Sequence, residues 1–178
     1  PFFMAALMIE FPFHYTVALI LFIAASLTDM IDGKMARKYN MITDFGKFLD
    51  PLADKMLTTA AFLGFIKMGI GWQVTWIAFI VLFREFLISS LRLVVVSSGG
   101  KVIAANMWGK CKTVSQMAGI ILALFAYVLI SDFGINNVVF VSVCNIIISI
   151  LFWASAVLCI ISGAIYLKDS KEYIDPSK

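Results

Sequence analysis

The sequence predicts an all-α polytopic membrane protein. It reads as one domain over residues 1–178, a bundle of six transmembrane helices with the first incomplete in this chain. Three observations carry that expectation. The 178 residues are 62% hydrophobic and 14% charged, with a mean hydropathy of +0.98, whereas a soluble domain runs at about 45–50% apolar and about 25% charged. The apolar residues come in runs long enough to cross a bilayer, about 20 residues each. Thirteen of the fourteen Lys and Arg fall in three groups that share one side if the helices alternate, as the positive-inside rule requires.

Taken in order, residues 1–9 read as the end of a first apolar helix, closed by the polar break Glu10, Pro12 and His14. Residues 15–36 form a second helix, apolar to Ser26 and polar beyond it. A connector from Lys38 to Lys47 leads to a third helix near 48–67, and Gly69 and Gly71 mark the next turn. The fourth helix spans about 72–96 and carries Arg84, Glu85 and Arg92 in its second half. Ser97-Ser98-Gly99-Gly100 breaks the chain before a fifth helix near 104–131. Asp132, Gly134 and Asn136-Asn137 form another turn, and the last helix covers about 138–167 before a charged tail.

The basic groups are Lys34, Arg37, Lys38, Lys47 and Lys55, then Arg84, Arg92, Lys101, Lys110 and Lys112, then Lys168, Lys171 and Lys178. Because they flank apolar spans, they argue against nucleic acid as a partner and for a cytoplasmic face carrying both termini. Cys111, Cys144 and Cys159 are widely spaced and odd in number, which speaks against a disulfide framework or a zinc site. The chain opens at Pro1 without an initiator methionine, so a preceding N-terminal segment is expected.

The feature that points to chemistry is a set of four aspartates within 26 residues. They stand in the frame Asp29-Met30-Ile31-Asp32-Gly33-Lys34-Met35-Ala36-Arg37, then Gly46, then Asp50-Pro51-Leu52-Ala53-Asp54. Carboxylates are costly at membrane depth and are rarely idle there. Asp29 and Asp32 are three apart and Asp50 and Asp54 four apart, so each pair shares a helix face. A short connector makes their two helices antiparallel neighbours, and the pairs can converge at the cytoplasmic end. Such a set suits hard, oxygen-preferring cations, Mg²⁺, Mn²⁺ or Ca²⁺, and paired metals on shared carboxylates serve phosphoryl transfer.

The surrounding residues fit the same chemistry. Gly33 lies inside a predicted helix, where glycine costs about 1 kcal/mol against alanine; the missing side chain lets a nucleotide or phosphate approach the backbone. Gly46, one turn before Asp50, can do the same, and Arg37 offers a planar fork to phosphate. The competing explanation for any one aspartate is that it caps a helix or faces water. Asp50 before Pro51 is the clearest case, since Asp at N-cap followed by Pro at N1 is a common helix start. Asp44 reads as a connector residue.

The frame D-x-x-D-G-x-x-A-R, eight residues, then G-x-x-x-D-x-x-x-D, resembles the signature of the CDP-alcohol phosphotransferase family. All eight positions are present: Asp29, Asp32, Gly33, Ala36, Arg37, Gly46, Asp50 and Asp54. The resemblance implies six transmembrane helices, a homodimer, and a site with two divalent cations. It further implies transfer of a substituted phosphate from a CDP-linked donor to an alcohol, with release of CMP. Carried over by position, Asp29, Asp32 and Asp50 become metal ligands, and Asp54 completes the metal site as the candidate catalytic base. Asp29, Asp32, Gly33, Ala36, Arg37 and Gly46 become contacts of the cytidine diphosphate.

The acceptor is read from the second basic group. Arg84 and Arg92 are eight apart on the fourth helix, roughly on one face, and Gly109-Lys110-Cys111-Lys112-Thr113 opens the fifth. Arg84, Arg92, Lys112 and Thr113 are therefore candidates for an anionic acceptor's phosphate; the bland alternative is that Arg84 and Glu85 neutralise parts of the bundle and the lysines follow the positive-inside rule. Lys38-Tyr39-Asn40, the run from Phe45 to Lys55, Arg84-Glu85-Phe86 and the 109–113 segment are similar to the bacterial phosphatidylglycerol-phosphate synthase branch of the family. That likeness implies CDP-diacylglycerol as donor, sn-glycerol 3-phosphate as acceptor, and a bacterial inner-membrane location among membrane lipid. The family's N-x-x-T-x-x-R pattern near the N-terminus has no match here. Rival expectations are another acceptor within the family, inositol phosphate or phosphatidylglycerol, and a divalent-cation transporter. A transporter would place its carboxylates near the bilayer midplane in repeated halves, and no repeat is visible.

Overall fold

The computed structural model describes residues 1–38, 44–97, 107–135 and 137–170, with side chains for all of these except 36–38, 44–54, 93, 96 and 97. The described residues contain helices and turns but no strand. The helices are α1 (Phe2–Met8), α2 (His14–Lys38), α3 (Asp44–Met68), α4 (Val74–Ser97), α5 (Met107–Tyr127) and α6 (Val138–Asp169). The expected all-α, polytopic architecture is the observed one. Four helical stretches, His14–Met35, Val74–Arg92, Met107–Asp132 and Val138–Asp169, are long and apolar enough to cross a membrane. α3 has 25 residues, about 37 Å at 1.5 Å per residue, but its first half is too charged to meet that standard. α1 holds only seven residues.

Local chemistry explains the helix ends. Asn137 caps α6, its side-chain oxygen accepting from the Val139 and Phe140 N–H groups at 3.0 and 3.2 Å. Those are two of the donors that a helix start otherwise leaves unsatisfied. Gly69 and Gly71, expected as turn residues, take positive φ of 67° and 82° between α3 and α4. α5 widens into a π-helical turn at Val128–Asp132 instead of running straight to 131. Asp132, read from sequence as a plain turn residue, also accepts the Thr16 N–H and Oγ1–H, both at 2.7 Å, and so fastens the start of α2.

One helix start differs from expectation. α3 begins at Asp44, not near 48. Asp44 therefore opens the helix, and Pro51 stands inside it, not at its first position. Asp50 is accordingly no N-cap, which removes the capping explanation for it. A proline in a helix forgoes one i→i−4 bond, and the helix continues through it. The expected break at 97–100 and the start of the fifth helix near 104 fall largely within 98–106, outside the described residues.

Contacts between helix ends establish alternation. Lys67 Nζ, late in α3, donates to the Met8 carbonyl at 3.2 Å, and Asp132 after α5 meets the start of α2. The starts of α2, α4 and α6 thus share one end with the finishes of α3 and α5. The core runs between them through Phe22, Phe62, Phe65, Ile77, Ile120 and Phe152, each at most 1% exposed. α5 and α6 make the most extensive pairing. Gly119 allows it: a Cβ there would lie 2.7 Å from the Phe152 ring, and small residues are what bring helices close in a membrane. Large apolar side chains such as Trp76, Phe79, Phe83 and Phe86 point outward from α4, as expected where the surrounding solvent is lipid.

Candidate functional site

The unbroken course of α2 to Lys38 keeps Asp29, Asp32, Gly33, Ala36 and Arg37 on one helix, and the early start of α3 does the same for Gly46, Asp50 and Asp54. In helical register 46, 50 and 54 share a face. Asp29 and Asp32 are exposed and make no ion pair with another described residue. The side chains of Ala36, Arg37, Gly46, Asp50 and Asp54 lie outside the described set. For that reason the convergence of the four carboxylates is not tested, and among the described residues no three metal-ligating side chains come together.

A polar cavity of about 160 Å³ lies among α3, α4, α5 and α6. Lys55 and Thr58 of α3, Arg84, Glu85 and Arg92 of α4, Gly109, Lys112, Thr113 and Gln116 of α5, and Ser162 and Tyr166 of α6 line it. The four residues proposed from sequence for an acceptor phosphate, Arg84, Arg92, Lys112 and Thr113, are thus brought together around one space. Lys55 directly follows Asp54 in the chain, so this cavity borders the aspartate segment.

Its charges are organised by Glu85. Glu85 Oε1 accepts from Lys112 Nζ at 2.6 Å and from Arg84 Nη1 at 3.0 Å, and Arg84 Nη2 donates to Ser162 Oγ at 2.7 Å. These side chains are mostly buried, at 8% exposure for Lys112, 16% for Arg84 and 19% for Glu85. Arg84 and Glu85 thus neutralise charge within the bundle, as the alternative from sequence held, and they do so while converging on the cavity. Gly163 packs closely behind Arg84, where a Cβ would lie 3.3 Å from its Cγ. Lys55 Nζ donates to Ser89 Oγ, which in turn donates to the Glu85 carbonyl at 2.8 Å. Arg92 and Thr113 are exposed, and the Thr113 hydroxyl donates to the Gly109 carbonyl at 3.1 Å.

The cavity holds four cations and one carboxylate, a net charge of +3 for an anion to meet. It also holds buried polar atoms without a partner among the described residues: Arg84 Nε, Gln116 Oε1 and the Tyr166 hydroxyl. Each such orphan costs about 1–3 kcal/mol when nothing satisfies it. The sequence reasoning passed over Lys55, Gln116, Ser162 and Tyr166 as cavity residues. A usable signal was present: Gln116 lies four after Lys112, and Ser162 and Tyr166 are four apart in an otherwise apolar span, where polar residues mark function.

A second space, of about 680 Å³, opens between α1, α2 and α3. Its lining is largely apolar, with Phe2, Phe3, Leu21, Leu57 and Leu63, and Asp29 stands among it. The two spaces are neighbours. Lys55 and Thr58 line the polar cavity, Met56, Leu57, Thr59 and Ala60 line the apolar one, and Met117 lines both. One turn of α3 divides a small charged chamber from a large greasy one.

Residues 1–161 match the model of the CDP-alcohol phosphatidyltransferase family. The chain belongs to this family. As a CDP-alcohol phosphatidyltransferase it is a transferase of phospholipid biosynthesis, embedded in a membrane by its apolar helices. Its curated relatives include a Bacillus subtilis protein 37% identical over 93% of this chain and 79% of its own length. A Rickettsia bellii protein is 37% identical over 93% of this chain and 84% of its own. A Haemophilus influenzae protein is 34% identical over 96% and 86%. Each of these relatives is named CDP-diacylglycerol–glycerol-3-phosphate 3-phosphatidyltransferase.

Proposed function

We propose that this protein transfers the phosphatidyl group of CDP-diacylglycerol to sn-glycerol 3-phosphate, giving phosphatidylglycerol phosphate and CMP. The observation that carries the acceptor is the +3 cavity of Lys55, Arg84, Arg92 and Lys112 around Glu85, beside the aspartate segment. It is small, charged and suited to a soluble phosphorylated alcohol. The names of the relatives favour the same acceptor. The apolar space beside Asp29 suits the acyl chains of the donor, which stay in lipid while the acceptor enters from water. The charge distribution along the chain favours the cytoplasmic face of a bacterial inner membrane, and a homodimer follows from the family resemblance.

Asp29, Asp32, Asp50 and Asp54 would hold two divalent cations, Mg²⁺ or Mn²⁺. The donor set fits, since hard carboxylate oxygens suit hard cations and Asp29 and Asp32 make no ion pair with another described residue. When bound, the ions supply Lewis-acid charge to the donor pyrophosphate. The chain's own residues do the rest. Gly33, Ala36, Arg37 and Gly46 border the cytidine diphosphate. Arg84, Arg92 and Lys112 bind the acceptor phosphate through charge-assisted contacts. Asp54 accepts the proton of the acceptor's 1-hydroxyl, that oxygen bonds to the lipid-bearing phosphorus, and the bond from phosphorus to the CMP oxygen breaks.

The deciding experiment offers purified protein CDP-diacylglycerol with Mg²⁺ or Mn²⁺ and, separately, radiolabelled glycerol 3-phosphate, inositol phosphate or phosphatidylglycerol. Labelled phosphatidylglycerol phosphate from the first alone is the expected result. A labelled lipid from inositol phosphate or phosphatidylglycerol instead would reassign the acceptor, and no product from any of them would remove the reading.

A further inference from the structure

The cations account for the phosphate of a bound acceptor but not for the neutral wall of the same cavity. Gln116 on α5 and Tyr166 on α6 are 3% and 6% exposed, and both line it. The Gln116 amide oxygen and the Tyr166 hydroxyl have no hydrogen-bond partner among the described residues. Neighbouring polar groups of the wall are engaged: Lys112 and Arg84 with Glu85, Ser162 with Arg84. Buried polar groups in natural proteins are nearly always paired, so two orphans in one cavity call for a ligand that pairs them. An anionic oxygen would not suit the amide oxygen, which is an acceptor only; a hydroxyl group would. We propose that Gln116 and Tyr166 read a hydroxyl of the acceptor's carbon frame. The Gln116 oxygen accepts from that hydroxyl and the Tyr166 phenol donates to it, while the cations hold the phosphate.

The inference rests on the acceptor assignment above and deepens it: the cavity selects a phosphorylated polyol over a phosphorylated simple alcohol. A site built to bond a substrate hydroxyl discriminates against the analogue lacking it, because its own buried groups are then left unpaired. Glycerol 3-phosphate is compared with 3-hydroxypropyl phosphate, which keeps the reacting hydroxyl and the phosphate but lacks the secondary hydroxyl. With CDP-diacylglycerol as donor, the unaltered enzyme should show a kcat/KM about ten-fold or more higher for glycerol 3-phosphate. Gln116→Met, close in shape, should lower kcat/KM for glycerol 3-phosphate to about the level of the analogue without lowering the analogue's own value. Tyr166→Phe, which keeps the ring, should shift the same ratio in the same direction. The analogue's rate reports whether each variant is folded. Equal kcat/KM for the two acceptors in the unaltered enzyme, or equal losses on both in the variants, would overturn the inference and leave the acceptor assignment standing. Turnover of neither acceptor would overturn both.

Discussion

The two charged regions of this bundle are built in opposite ways. Asp29 and Asp32 stand exposed on α2 with no ion pair among the described residues. Arg84, Glu85 and Lys112 are mostly buried and bonded to one another and to Ser162. Exposed carboxylates that no described cation pairs with are open to an external cation and contribute little to holding the fold. A basic cavity with an internal carboxylate is held in shape before any ligand arrives, and part of its charge already serves the structure. Substitutions on the two sides should therefore fail differently, one in chemistry with the fold intact, the other in stability and acceptor binding together.

The largest effect is expected on the acidic side. Asp29→Asn or Asp32→Asn should lower turnover at limiting Mg²⁺ by about a thousand-fold or more, since a bound metal supplies several kcal/mol to such a reaction. The melting temperature in a chelating buffer should stay within a degree or two, because exposed substitutions generally change stability by no more than about 0.5 kcal/mol. Near-normal turnover of either variant would remove that residue from the metal site. A large fall in melting temperature would mean that the acidic side is structural as well, and the contrast would collapse.

Next comes Glu85→Gln on the basic side. Breaking a buried ion pair from one partner costs about 3–5 kcal/mol. The remaining exposure of Glu85 and the oxygen that glutamine retains place the expected loss near about 3 kcal/mol. Thermal or denaturant unfolding in detergent measures it. A variant as stable as the parent would show that the three charges are independent and that the cavity is not pre-shaped by its own carboxylate.

These regions also differ in how far they could be read without coordinates. The acidic frame is contiguous on two helices, and its spacing of three and four residues is the helical period itself, so Asp29, Asp32, Asp50 and Asp54 stood out at once. Its helix starts were less legible: Asp50-Pro51 carries a strong capping signal, yet α3 begins at Asp44 and runs through the proline. The basic cavity draws on four helices from Lys55 to Tyr166. The clustering of Arg84, Arg92 and Lys112 was legible because cations inside spans are rare. Gln116 and Tyr166 were not, since which face of α5 and α6 turns inward depends on packing such as Gly119 against Phe152, which no local pattern encodes. The partner of Asp132 was not legible for a similar reason: Thr16 is 116 residues away.

The central claim is a division of labour, with the donor handled on the aspartate side and the acceptor's phosphate in the basic cavity. Arg92 tests it most directly, because it lines the cavity, is exposed, and takes no part in the Glu85 cluster. Losing one charge-assisted contact weakens binding by about 1.5–3 kcal/mol. Steady-state kinetics of Arg92→Ala should then show a Michaelis constant for glycerol 3-phosphate raised about ten-fold or more. The constant for CDP-diacylglycerol and the melting temperature should be unchanged. An equal rise in both constants, or a change in the donor's constant alone, would contradict the account.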